Sequence, residues 1–196
     1  MEQKQTNYKL GMTFIAAIFF IFGFATTFII TLSAKVKGIF GLSEFMAQFL
    51  TGAFFFTYPI LSIPSGLIIR KIGYKMAVIV GLLLMALGSF LFFPAAAIPN
   101  FPLFLTATFV LAAGVVFLQT AANPYAAALG SEESASGRLN LVQALNSIAT
   151  MIAPWLISVV IFKGTAEMLD AAASAKTVQM PFLFIGGIVL IIALAL

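Results

Sequence analysis

The chain reads as an all-α membrane protein with six transmembrane helices, and three observations predict it. Hydrophobic residues make up 62% of its 196 residues and charged ones 8%, with a mean hydropathy of +1.14; a soluble domain carries roughly 25% charged residues. The apolar residues gather into runs long enough to cross a hydrocarbon core of roughly 30 Å, which takes about 20 residues of helix. Within those runs there is no Asp, Glu, Lys or Arg, and a single-chain apolar run crosses lipid as a helix because only there does every backbone group find a partner.

The six predicted spans are Gly11–Ala34, Phe45–Ile69, Met76–Ile98, Phe101–Leu129, Leu139–Phe162 and Met180–Leu196. Residues 1–10 form a polar tail carrying Lys4 and Lys9, so the first span reads as a signal anchor rather than a cleaved leader. The segment Lys35–Glu44 joins the first pair, Arg70–Lys75 forms a tight basic turn, and Pro99–Asn100 separates the third and fourth spans. The Gly130–Arg138 loop holds Glu132 and Glu133; within the longer Lys163–Gln179 stretch the run GTAEMLDAAASAK reads as a small surface helix. Pro59, Pro64, Pro124 and Pro154 lie inside spans, where each removes a backbone hydrogen bond and favours a kink. The last span ends in IVLIIALAL with no polar flank, which reads as a piece of a longer protein: residues 11–196 would be its N-terminal membrane domain.

Lys and Arg set the predicted orientation. Lys4, Lys9, Arg70, Lys71, Lys75 and Arg138 fall on the side of the N-terminus, against Lys35, Lys37, Lys163 and Lys176 on the other, so the N-terminus is expected in the cytoplasm. These bases are scattered along membrane edges, which also accounts for the net charge of +4 without nucleic acid as a partner. The chain has no cysteine and no histidine. Thiolate zinc sites, cysteine nucleophiles and the usual neutral-pH acid–base group are therefore excluded, and no metal or cofactor is expected. The six acidic residues lie in tails and loops, so no loop offers a convincing catalytic set and an enzyme is not expected.

What the spans do contain is carboxamides. Gln119 and Asn123 are spaced i, i+4 on one helix face; Gln143, Asn146, Ser147 and Thr150 follow i, i+3, i+4, i+7 on the next. At 1.5 Å per residue, Asn146 lies roughly 12 Å beyond Arg138 and Asn123 at about the same depth on the antiparallel neighbour, near the midplane. Thr26, Thr27 and Thr31 of the first span add hydroxyls at a similar level. Two readings stand. Such groups hold helices together, at an average of about 0.6 kcal/mol per contact, or they line a path for a polar, uncharged solute. A carboxamide both donates and accepts, as a sugar hydroxyl does, so an Asn/Gln lining reads hydroxyls without placing charge in low dielectric. Trp155 is expected as an interfacial anchor, and most of the 22 Phe to face lipid.

The stretch LQTAANPYAAALGSEESASGRLNLVQALNS, with FFIFGFATTF before it and SIPSGLIIRKIGYK between, resembles the fucose permease and glucose/galactose transporter branch of the major facilitator superfamily. That resemblance implies half of a twelve-span fold, built of two inverted three-helix repeats, in a bacterial inner membrane. It implies sugar transport by alternating access with a co-transported proton or sodium ion, and a second six-helix half as partner. The family's sugar contacts map onto Gln143 and Asn146, and its gating turn onto Gly66, Arg70, Gly73 and Lys75, with Arg138 at the next cytoplasmic edge.

Three positions depart from the family. Relatives often carry Asn-Asp where this chain has Ile29-Ile30, fucose permeases carry glutamate at Gln119 although the glucose/galactose relatives share the glutamine, and the usual acid of the signature turn is Arg70 here. A proton relay needs a titrating group, and these spans offer none. The alternatives to a cation-coupled sugar transporter are a uniporter of another small polar solute and a membrane subunit that transports nothing itself.

Overall fold

Backbone groups in a bilayer are satisfied inside helices, and the computed structural model, which describes residues 2–98, 100–159 and 171–196, is helical almost throughout. Helix α1 runs Glu2–Phe40, α2 Glu44–Ala97, α3 Phe101–Ala128, α4 Ala135–Ile157 and α5 Ala171–Ala195, with a 3-10 turn at Glu132–Ser134 before α4. All five α-helices are long and apolar enough to cross a membrane.

Five helices among the described residues replace the six expected. The second and third predicted spans are both contained in α2, and the basic segment Arg70–Lys75 is taken up in it instead of forming a loop. Only Gly73, at φ 79° and ψ 164°, leaves helical geometry there. A positive φ is open to glycine without the Cβ clash other residues meet, so the chain changes direction at one residue and its neighbours stay helical. Pro59, Pro64 and Pro94 all keep helical dihedrals, so the break in α2 is made by glycine and not by proline. The inverted three-plus-three repeat falls with the six-helix count.

The loop expected at 35–44 shrinks as well. Helix α1 continues to Phe40, and Ser43 caps α2 by accepting from the Met46 N–H at 3.3 Å. Lys37 and Glu44 form an exposed ion pair across the turn. Of the stretch 163–179 expected to hold a surface helix, residues 163–170 lie outside the described residues, and residues 171–179 belong to α5.

Phenylalanine builds much of the core. Phe19, Phe54, Phe92, Phe104 and Phe182 are fully buried. Phe182 of α5 stacks on Phe92 of α2 at 3.8 Å and meets Phe28 of α1 edge-on at 4.7 Å, tying three helices together. Helices α2 and α3 cross where Gly81 and Gly88 face Gly114 and Leu111, close enough for backbone to touch backbone. Packing is uneven. The apolar window of α3 is 61% buried and that of α4 only 22%, so α3 is the central helix and α4 sits at the rim with one face open.

Arg138, like Lys35, departs from the rule that membrane-edge bases face water. It is buried at 4% exposure. Its Nε donates to the Ala126 carbonyl at 2.9 Å, while Nη2 donates to the Ser131 carbonyl at 3.1 Å and to that of Ala127; Nη1 donates to Ser134 Oγ at 2.5 Å. The last carbonyls of a helix lack intrahelical partners and carry negative partial charge, so one guanidinium caps α3 and fixes the turn into α4. Arg138→Leu is expected to cost about 2–4 kcal/mol, since hydrogen bonds to charged groups contribute roughly 1.5–3 kcal/mol and the acceptors are left dry. Thermal melting of the purified protein checks this, with partial recovery in Arg138→Lys; an unchanged melting temperature would contradict it.

Candidate functional site

The polar residues of the spans fall into two groups. The first lies between α1 and α4. Asn146 Nδ2 donates 2.9 Å to the Phe19 carbonyl of α1. This contact depends on Gly23: a Cβ there would lie 2.3 Å from Asn146 Nδ2 and 2.8 Å from the Asn146 backbone carbonyl. Asn146 therefore works as an interhelical bond, with its Oδ1 left to accept. Replacing it by alanine is expected to lower stability by about 0.6–1.7 kcal/mol, the range of hydrogen bonds between membrane helices, read as a lower melting temperature.

Along the open side of α4 the picture differs. Gln143 and Ser147 are exposed and Thr150 is half-buried. The hydroxyls of Ser147 and Thr150 donate back to the carbonyls of Gln143 and Ser147 at 3.0 and 2.8 Å, leaving their lone pairs outward. The Gln143 carboxamide makes no hydrogen bond to the described residues. Asn140, also exposed, extends the same stripe one turn toward Arg138. Of the hydroxyls on α1, Thr26, Thr27 and Thr31 are half-buried and donate to the carbonyls of Phe22, Gly23 and Thr27 at 2.8, 3.1 and 2.9 Å. Between them, Ile29 is fully buried while Ile30 is 42% exposed, so the open face of α1 presents Ile30.

The second group lies between α2 and α3. The Gln119 carboxamide lies near the Tyr58 hydroxyl. Ser65 Oγ donates to Thr120 Oγ1 at 3.3 Å and to the Ser62 carbonyl at 2.9 Å. Asn123 turns inward on its own helix, donating to the Gln119 carbonyl at 2.9 Å. Among the described residues no hydrogen bond joins Gln119 or Asn123 to Gln143 or Asn146. The amides expected to converge thus form two anchored pairs and one open stripe.

Sequence reasoning missed Gly23, Tyr58, Ser65 and Thr120. Ser65 and Thr120 gave a signal, as hydroxyls inside apolar runs; Gly23 and Tyr58 gave none, because their roles depend on which helix lies opposite. Residues of the expected gate are spread along α2 and beyond. Gly66 is half-buried with open space where a Cβ would sit, Arg70 and Gly73 are exposed, and Lys75 is exposed beside a cleft at the N-terminal end of α1. Arg138, buried on the end of α3, is a clamp between α3 and α4 in this conformation.

The Major Facilitator Superfamily profile matches residues 13–196. The glucose/galactose transporter of Brucella abortus is 39% identical over 182 residues, covering 93% of this chain and 44% of that protein. The L-fucose-proton symporter of Escherichia coli K12 is 37% identical over 205 residues, 97% of this chain and 47% of the symporter. A crystal structure of the E. coli fucose:proton symporter superposes with a TM-score of 0.82 at 34% identity, over 96% of this chain and 48% of that one. A second, of the transporter FucP in an outward conformation, gives 0.83 at 35% identity over 96% and 49%. The chain spans just under half the length of these relatives. It is a multi-pass protein of the bacterial inner membrane with the architecture of half a transporter fold. The chain belongs to the Major Facilitator Superfamily, a transporter family and not a family of enzymes, and its similarity lies with the fucose–proton symporter and glucose/galactose transporter branch.

Proposed function

We propose that the intact protein carries a hexose or fucose-type sugar across the membrane by alternating access, coupled to a proton or sodium ion, and that this chain supplies its N-terminal half. The observation that carries the reading is the open face of α4, where Asn140, Gln143 and Ser147 lie exposed in a helix of a sugar-transporter relative. A charge-free row of donors and acceptors at membrane depth suits a neutral polyol and disfavours an ion. Gln143 makes the first contact, Ser147 and Thr150 extend it, and Asn146 Oδ1 accepts from a sugar hydroxyl while its Nδ2 holds α1. Thr27 lies on the neighbouring α1, and Gln119 and Asn123, held in their own α2–α3 group in this conformation, reach the sugar only when the helices rearrange. The remaining half of the protein closes the cleft from the other side.

In this reading the N-terminus faces the cytoplasm. Exposed Lys9, Arg70, Lys71 and Lys75 gather at that end, which follows the positive-inside rule. Gly66, Arg70, Gly73, Lys75 and Arg138 then sit on the cytoplasmic gate, where Arg70 in place of an acid changes the charge contacts that hold the inward side shut.

Coupling does not run through a carboxylate of these spans, since Ile30 and Gln119 occupy the positions concerned and neither titrates. The titrating group belongs to the other half, or the co-transported ion is sodium bound by neutral oxygens.

Reconstituted intact protein is expected to show accelerated exchange of labelled hexose or fucose against internal sugar. Dissipating the proton gradient, with and without sodium, then identifies the coupling ion. Absence of sugar counterflow for every hexose and deoxyhexose tested would overturn the proposal.

A further inference from the structure

Where α1 and α4 meet at mid-membrane, the closest approach is made at a glycine. Gly23 lies near the middle of α1 and Asn146 near the middle of α4, so their contact is internal to the bundle and remote from both helix ends. A Cβ on Gly23 would lie 2.3 Å from Asn146 Nδ2, 3.0 Å from its Cγ and 2.8 Å from its backbone carbonyl oxygen. The first two atoms belong to a side chain that can turn away. The third is backbone, and only a shift of one helix against the other relieves it. Among the described glycines, Gly23 is the one whose missing side chain makes room for a residue of the α4 stripe.

Side-chain donors crowd the same turns of α1. Asn146 Nδ2 donates to the Phe19 carbonyl at 2.9 Å, the Thr26 hydroxyl to the Phe22 carbonyl at 2.8 Å and the Thr27 hydroxyl to the Gly23 carbonyl at 3.1 Å. A second donor on a carbonyl of the i→i−4 ladder loosens and bends a helix, so α1 is not a rigid wall here. The buried face of α4 otherwise carries Val142, Ala149 and Ala153, which pack without a hydrogen-bonding register. At this depth the Asn146 bond over Gly23 is therefore what fixes the height and rotation of α4.

We infer that Gly23 is a positioning residue for the sugar-binding face of α4: the bare Cα sets how closely α4 rests on α1, and with it where Gln143 and Ser147 point. Both flank Asn146 within one turn of the same helix and move with it. The inference rests on the sugar reading above. Gly23 itself touches no sugar. A side chain there displaces the stripe without removing any donor or acceptor from it, so affinity falls and the translocation step is left alone.

In intact, reconstituted protein, Gly23→Ala is expected to raise the KM of sugar counterflow about tenfold while the maximal rate per folded protein stays within about twofold. A merely structural role gives the opposite split, with less folded protein, a lower maximal rate and an unchanged KM. Gly38→Ala on the same helix keeps both values, because nothing lies within 4 Å of a Cβ there. Asn146→Ala removes the side-chain overlap and not the backbone one, so adding Gly23→Ala to it is expected to raise KM severalfold above Asn146→Ala alone. That pair also decides the matter where Gly23→Ala by itself does not fold. An unshifted KM in Gly23→Ala, a double variant no worse than Asn146→Ala, or loss of folded protein in both Gly23 variants overturns the inference. Absence of counterflow in the unaltered protein removes the sugar reading, and this inference with it.

Discussion

Gln143→Leu is expected to lower the catalytic efficiency of sugar counterflow by the intact protein about 10- to 100-fold, the loss of one or two hydrogen bonds to sugar hydroxyls at roughly 1–1.5 kcal/mol each. The substitution isolates binding from folding. Leucine nearly matches glutamine in size, and Gln143 is exposed on α4 with no hydrogen bond to the described residues, so nothing in the fold is broken. Its melting temperature should stay close to that of the unaltered protein, as a surface change costs within about 0.5 kcal/mol. Asn146→Leu makes the contrasting case. It removes the bond to the Phe19 carbonyl and forces a branched side chain against Gly23, so both transport and stability fall together. Normal counterflow in Gln143→Leu would remove this residue from the sugar path.

Gly88→Val and Gly114→Val are expected to leave little folded protein. A Cβ on Gly88 would lie 2.3 Å from the Leu111 nitrogen and 2.6 Å from its Cα; one on Gly114 would lie 2.4 Å from the Met85 nitrogen and 2.6 Å from the Gly81 carbonyl oxygen. All four neighbours are backbone atoms, so no rotamer change relieves the overlap. Helices α2 and α3 must move apart, and the tight contact that replaces hydrophobic drive between membrane helices is lost. The cost should exceed about 3 kcal/mol, at the upper end for overpacked cores. Size-exclusion profiles after mild heating read this directly, with Gly187→Ala as control because nothing lies within 4 Å of a Cβ there. A monodisperse Gly88→Val protein as heat-resistant as the control would contradict the crossing.

How much of this was legible in the sequence varies with the kind of signal. Span existence is written in composition, because the bilayer imposes a length and excludes charge, and the described residues of the predicted spans are helical except at the ends Ile98, Leu129 and Leu196. Span count was not. The segment Arg70–Lys75 looks like a loop by polarity, yet its residues other than Gly73 accept helical dihedrals, and polarity alone cannot separate a loop from a bend. The shared face of Gln143 and Ser147 on α4 was legible from 3.6-residue spacing. Which residue of the stripe faces a neighbour was not, because that depends on Gly23 admitting α4 to the Phe19 carbonyl. Arg138 shows a further gap. Counted as a topology signal, it is a buried cap, and the clue was its place a short turn after the unpaired carbonyls ending α3.

The account stands on the open face of α4 being wet and sugar-lined. Ser147→Cys, made in intact protein stripped of any other thiols, tests this most directly through labelling by a membrane-impermeant thiol reagent. The account predicts ready labelling that saturating transported sugar slows severalfold, while a non-transported disaccharide does not. Labelling by lipid-soluble reagents alone, or a rate indifferent to every sugar, would place that face in lipid or in a dry contact and contradict the account.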